Sequence, residues 1–242
     1  MEAFSITDIG KHRSANEDFV FCSMEPIGHL PNLFIVADGM GGHKAGQYAS
    51  RFCVEYFTQH VQDTKASSPI SIIKKALEET NAKLIELSQG TSDFEGMGTT
   101  FVVATIVDET MYVANVGDSR LYVVGDQLQQ VTEDHSLVEI MIKSGEIDRE
   151  EARSHPNKNI ITRALGADLS VKADYFEVNL NDINTILMCT DGLTNMVNDS
   201  NINHIIINSV NIKEAAHSLI KTANDNGGID NIGIIIINVK KR

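Results

Sequence analysis

Cysteine is scarce in this chain. Cys22, Cys53 and Cys189 are the only three, an odd number without the spacings that bind a metal. Cys53 and Cys189 fall in apolar patterns, so all three read as reduced thiols, mainly core filler, in a cytoplasmic protein. No apolar stretch is long enough to cross a bilayer, and Met1-Glu2-Ala3-Phe4 lacks the basic and apolar regions of a signal peptide. The sequence has no internal repeat and no low-complexity linker. Positive charge is short as well, since the 242 residues carry a formal net charge of −13. That balance argues against a nucleic-acid partner and against an anionic membrane surface. A hydrophobic content of 42% can fill a core, and 22% charged residues exclude a disordered class. An acidic protein that handles an anion needs local cations, and bound metal is one source of them.

Short strands alternate with long helical patterns. Residues 4–8 and 19–23 read as strands separated by the polar loop 10–18, and a third strand ends at Asp38. Ala45, Tyr48, Ala49, Phe52, Cys53, Tyr56, Phe57 and Val61 recur at helical spacing. Ser68-Pro69 opens a second helix with Ile70, Ile73, Leu77, Leu84 and Leu87 on one face. Residues 101–107, 111–116, 121–124 and 128–131 are strands with gaps too short for a crossover, which predicts an antiparallel meander. Several lack polar alternation and so need cover on both faces. Residues 134–171 are more polar and read as a flap-like surface insertion within one domain spanning 1–242. Two more strands, two helices near 201–209 and 213–224, and a last strand follow. The fold class is α+β, two antiparallel sheets packed together with helix pairs outside, an αββα sandwich.

Asp38, Asp118, Asp191 and Asp230 each stand at the rim of an apolar run, which would bring four acidic groups towards one edge of a sheet. Carboxylates 4 Å apart repel by roughly 4 kcal/mol per pair at an effective dielectric near 20. Protons or cations must neutralise such a cluster, and oxygen-only ligands favour Mg2+ or Mn2+.

The motifs Arg13-Ser14-Ala15-Asn16-Glu17-Asp18, Asp38-Gly39-Met40-Gly41-Gly42-His43-Lys44-Ala45-Gly46, Gly98-Thr99-Thr100, Gly117-Asp118-Ser119-Arg120, Asp191-Gly192-Leu193 and Asp230-Asn231 occur in this order. As an ordered set they closely resemble the metal-dependent protein serine/threonine phosphatases of the 2C type, in their compact bacterial form. The glycine-rich second motif lacks the Gly-Lys-Ser/Thr ending of a P-loop and the Gly-x-Gly-x-x-Gly spacing. The resemblance implies an αββα sandwich and a pair of Mn2+ or Mg2+ ions that hydrolyse phosphoserine and phosphothreonine. It implies that Asp38 bridges both ions, that the Gly39 carbonyl ligates one, and that Asp191 and Asp230 are the other direct ligands. Glu17 would act through metal-bound water, and Asp118 would contribute to a third, weaker ion. Arg13 would grip the substrate phosphate with its planar fork. Arg120 would brace the acidic loops.

Plainer readings stand beside these. Asp38-Gly39 could be a strand-ending turn, Gly117-Asp118 a hairpin turn, and Asp191 a helix cap. Glu17 and Asp18 could be a solvated pair, and Arg13 a surface arginine bonded to Glu17. Animal relatives carry His after the Asp-Gly pair, whereas this chain has Met40; His43 either supplies the proton to the leaving alcohol or begins the helix. His12, His135 and His155 lie in polar segments and are expected at the surface. The implied partners are phosphorylated proteins, products of a Ser/Thr protein kinase, and nothing in the sequence calls for more than a monomer. Two rivals share the fold: a phosphatase of a phosphorylated anti-sigma-factor antagonist, and a catalytically silent phosphoprotein binder.

Overall fold

Strands that are apolar on both faces must be covered on both, and the chain meets that need by facing two sheets together. A computed structural model describes residues 1–41, 44–90, 94 and 96–239. In chain order, β1 (Glu2–Asp8), β2 (Asp18–Ser23) and β3 (Leu33–Met40) precede α1 (Ala45–Asp63) and α2 (Pro69–Gly90). Then come β4 (Gly98–Thr99), β5 (Phe101–Val107), β6 (Thr110–Val116), β7 (Arg120–Val124) and β8 (Leu128–Gln130). The insertion carries α3 (Leu137–Ser144) and α4 (Arg149–Ser154). The rest is β9 (Asp174–Asn179), β10 (Thr185–Cys189), α5 (Asp191–Thr194), α6 (Asp199–Asn208), α7 (Ile212–Asp225) and β11 (Ile232–Asn238).

One sheet runs β1-β11-β10-β7-β8 and the other β2-β3-β5-β6-β9, with β4 paired to β3, all antiparallel. Phe34, Val36, Val102, Met188 and Ile235 belong to the apolar layer between the sheets. Ala49, Cys53 and Phe57 of α1 pack with Ile73 and Leu77 of α2 over the second sheet. Leu193, Ile202, Ala216 and Leu219 of α5–α7 cover the first. The order of layers is therefore αββα. Cys53 and Cys189 are buried and Cys22 partly so, all as free thiols. No helix among the described residues is long and apolar enough to span a membrane.

The expected meander is split. β5 pairs with β6 and β7 with β8, but β6 and β7 lie in different sheets. Residues 117–119 are a crossing between layers. Facing sheets stand about 10 Å apart, and three extended residues reach about that far, so a short link permits a change of sheet as readily as a hairpin. Likewise β3 runs through Asp38 to Met40. The helix α4 was not expected, although Asp148 and Glu151 form a capping box at its start, a signature present in the sequence.

Phe34 is fully buried between the sheets. Phe34→Ala is expected to lower unfolding free energy by about 3–5 kcal/mol, measured by urea denaturation. A loss of about 0.5 kcal/mol, typical of a surface change, would contradict this packing.

Candidate metal centre

At one end of the sandwich, β2 begins opposite the end of β3, and Asp18 pairs in register with Asp38. In the facing sheet, β10 leads into Thr190-Asp191 beside Asp230-Asn231, where β11 begins. The acidic groups therefore come from both sheets, not from one edge of a single sheet. Hydroxyls and amides fasten each one. The Asp38 carbonyl accepts from the Thr100 N–H (2.9 Å) and Thr99 Oγ1 (2.9 Å), while the Asp38 N–H donates to Thr100 Oγ1 (3.0 Å). Thr100 Oγ1 in turn contacts Ser119 Oγ at 2.8 Å, beside Asp118.

Thr190 joins the layers. Its hydroxyl donates to Asp18 Oδ2 (2.7 Å) and accepts from the Gly233 N–H (2.8 Å). Asn231 holds the polar loop, its Oδ1 accepting from the Glu17 N–H (2.8 Å) and its Nδ2 donating to the carbonyls of Ile9 and Ala15. The Glu17 carbonyl accepts from the Gly39 N–H (3.1 Å) and Ser50 Oγ (2.6 Å). Gly39 lies so close to the first turn of α1 that a Cβ there would fall 2.0 Å from the Gly46 carbonyl oxygen. No other residue fits that approach.

The electrostatics reflect crowding. Asp38 and Asp191 keep a window to solvent while protein surrounds them. Burial first, then Asp18, Asp191, Asp118 and Asp230, push the Asp38 carboxyl well above its usual range. Asp18 is raised by burial and by Asp191 and Asp230, against the pull of the Thr190 hydroxyl. Asp118 is raised by burial, Asp191 and Asp134, with Arg120 opposing. Burial and then Asp230 push Asp191 up to about 6, offset by hydrogen bonds to Asp38 and Asn195. Glu17 rises through burial despite Arg13. For Arg13 burial works against the charge, but Asp230, Glu17 and Asp38 outweigh it.

Among the described residues, no group of three His, Cys, Asp or Glu side chains is arranged to enclose an ion outright. The carboxylates are gathered closely enough that the Asp38 and Asp191 side chains hydrogen-bond. Their donor chemistry is oxygen only, and the raised proton affinity of Asp18, Asp38, Asp118 and Asp191 shows that added positive charge stabilises the cluster. Both properties fit hard divalent cations.

The sequence-derived site residues land as follows. Arg13, Glu17, Asp38, Gly39, Asp191 and Asp230 meet at this end. Arg13 bonds Asp230 (2.7 Å) more closely than Glu17 (3.6 Å), the partner in the plainer reading. Asp118, 8% exposed, lies in the crossing between sheets, which removes the hairpin reading. Asp191 opens α5 but leaves the cap position to Thr190, and its Oδ2 accepts from Asn195 Nδ2 (2.8 Å). Arg120 makes a bidentate pair with Asp134 beneath the cluster. His43 lies outside the described residues. His12 is exposed and His155 partly so, but His135 is buried at 4% exposure, contrary to the surface expectation. Thr99, Thr100, Ser119, Thr190, Asn195 and Asn231 were not foreseen as supports, because uncharged side chains carry no spacing signal. Beside Asp118 and Asp191 a cavity of about 170 Å3 opens towards the insertion, where Arg149, Arg153 and Lys158 line it.

The family description Protein phosphatase 2C matches residues 11–223. The chain is 39% identical to the serine/threonine phosphatase stp of Listeria innocua, over 98% of this chain and 95% of that protein. The crystal structure of serine/threonine phosphatase Stp1 from Staphylococcus aureus superposes with a TM-score of 0.93 at 34% identity, covering 99% of this chain and 95% of that one. The catalytic domain of the serine threonine protein phosphatase PstP, in complex with two manganese ions, superposes with a TM-score of 0.85 at 29% identity, covering 98% and 97%.

A carboxylate raised in the folded state takes up protons on folding, so its stabilising contribution is present near pH 4 and lost as pH rises through the folded value, about 6 for Asp191. His135, lowered by burial, works in the opposite sense, so the comparison is with Asp191→Asn, which keeps it. In chelator, the Tm difference between Asp191→Asn and the natural chain should grow in favour of the variant from pH 5 to pH 8. A constant difference would mean that Asp191 is not crowded by its neighbours.

Proposed function

The chain belongs to the protein phosphatase 2C family, and from that membership we infer that it is a protein serine/threonine phosphatase using paired Mn2+ or Mg2+ ions. The observation that carries the metal reading is the meeting of Asp38, Asp191 and Asp230, from both sheets, in one cluster where Asp191 and Asp230 raise the proton affinity of Asp38 and Asp230 raises that of Asp191. Asp38, Asp191 and Asp230 would hold the pair, helped by the Gly39 carbonyl and, through water, by Glu17. Asp118 would hold a third ion more weakly. Such ions, when bound, lower the pKa of water towards neutrality and offset the charge of an in-line displacement at phosphorus.

The chain's own residues supply position and charge. Arg13 can turn its fork to the substrate phosphate, because its side chain is 45% exposed and its pair with Asp230 is of the kind worth about 1 kcal/mol or less. Asn231 holds the loop that carries Arg13 and Glu17 against β11. Residues 134–171 form a flap-like insertion within one catalytic domain, and Arg149, Arg153 and Lys158 face the cavity where a substrate segment would lie. The substrates would be cytoplasmic phosphoproteins made by a Ser/Thr protein kinase. The intact set Arg13, Asp38, Asp191 and Asp230 speaks against a silent binder.

Asp38→Asn or Asp191→Asn should abolish Mn2+-dependent hydrolysis of an aryl phosphate; near-normal turnover in a folded variant would remove the metal assignment. Arg13→Ala should raise KM roughly 10- to 100-fold, the worth of a charged hydrogen bond of about 1.5–3 kcal/mol. An unchanged KM would reassign Arg13 to holding Asp230.

A further inference from the structure

We propose that His135 is a positioning residue that locks the sheet-crossing link Gly117-Asp118 to the base of the insertion, and so holds Asp118 at the acidic cluster. The inference rests on the reading of Asp118 as a ligand for a divalent cation. Both backbone groups of Gly117 are taken by the histidine. The Gly117 N–H donates to His135 Nδ1 (3.0 Å), and the His135 N–H donates to the Gly117 carbonyl (3.0 Å), which also accepts from Asn115 Nδ2 (3.3 Å). An Nδ1 that accepts has no proton, so the neutral ring carries its proton on Nε2. Nε2 donates to Asp174 Oδ2 at 3.0 Å.

Asp174 begins β9, directly opposite Asn115 in β6, and its other oxygen accepts from Arg163 Nη1 (2.9 Å). Arg163 Nη1 also lies 3.1 Å from Nε2, where two N–H groups share Asp174 as their acceptor. The His135 carbonyl accepts from the Thr162 N–H (2.7 Å), a second tie to the insertion. The link has little freedom to settle otherwise. Gly117 sits at φ +109°, and a Cβ there would fall 2.6 Å from Thr100 side-chain carbons. Asp118 is the next residue, so the Gly117 peptide sets where the backbone that carries its carboxylate sits. Burial disfavours the imidazolium and keeps Nδ1 an acceptor.

Partners that orient a ligand group typically change metal affinity by about 10- to 100-fold when removed. His135→Asn places an amide oxygen where Nδ1 stood and keeps the acceptor for Gly117. His135→Gln keeps only a group near Nε2. The test is Mn2+ titration, with free Mn2+ read from its EPR signal, alongside kcat and KM for an aryl phosphate. The expected result is that the Gln variant binds its weakest Mn2+ at least about tenfold less tightly, with kcat reduced and KM unchanged, while the Asn variant restores binding. A Gln variant that binds Mn2+ like the natural chain, or an Asn variant as impaired as Gln, overturns the proposal. Asp174→Ala, at a partly exposed site, carries the test if the core variants do not fold: weaker binding of the last ion supports the coupling and unchanged binding refutes it. Absence of Mn2+-dependent turnover in the natural chain would instead bring down the phosphatase reading, and so the two failures are distinguishable.

Discussion

Repulsion among carboxylates at one end of the sandwich is the constraint to which the rest of the structure answers. Asp18, Asp118, Asp191 and Asp230 are near enough to Asp38 that each raises its proton affinity, and Asp191 and Asp230 raise that of Asp18 as well. Left to itself such a cluster would splay or stay protonated. Among the described residues, Arg13 is half exposed on the polar loop and bonded to Asp230, and Arg120 is committed to Asp134. The remaining charge deficit belongs to what binds there, which is why an acidic chain can act on an acidic substrate.

Holding the carboxylates together falls to neutral groups. Thr190 bridges the sheets by donating to Asp18 while accepting from Gly233. Thr99 and Thr100 fix the Asp38 peptide from both sides. Asn231 bonds three backbone groups, of Ile9, Ala15 and Glu17, along the loop that carries Arg13. These bonds lie in or beside the apolar layer, where an unmade partner costs about 1–3 kcal/mol. The geometry of the site is thus part of the fold's own stability. Gly39 and Gly117 serve the same end by letting backbone approach where a side chain would collide.

The insertion is bound into this system rather than attached to it. Its base meets the acidic end through His135, Asp174 and Arg163, and its helices line the cavity beside Asp118 and Asp191. A segment placed in that way shares its contacts with both the cavity and the crossing link. The same crossing moves the chain from one sheet to the other, so topology and chemistry share three residues.

Much of this was legible in the residue pattern alone. Apolar runs without alternation implied strands covered on both faces, and helical spacing from Ala45 to Val61 implied α1, because burial has a period that local sequence must display. The acidic residues at strand rims announced a cluster, since Asp38, Asp191 and Asp230 interrupt runs that would otherwise stay apolar. What only the tertiary structure decided were the pairings between distant segments: the change of sheet at Gly117, Asp230 as the partner of Arg13, the support from Thr190 and Asn231, and the burial of His135. A hydroxyl, an amide or an imidazole looks alike in a loop and in a core. Which it is depends on the residues brought against it from elsewhere in the chain, and no local period encodes that.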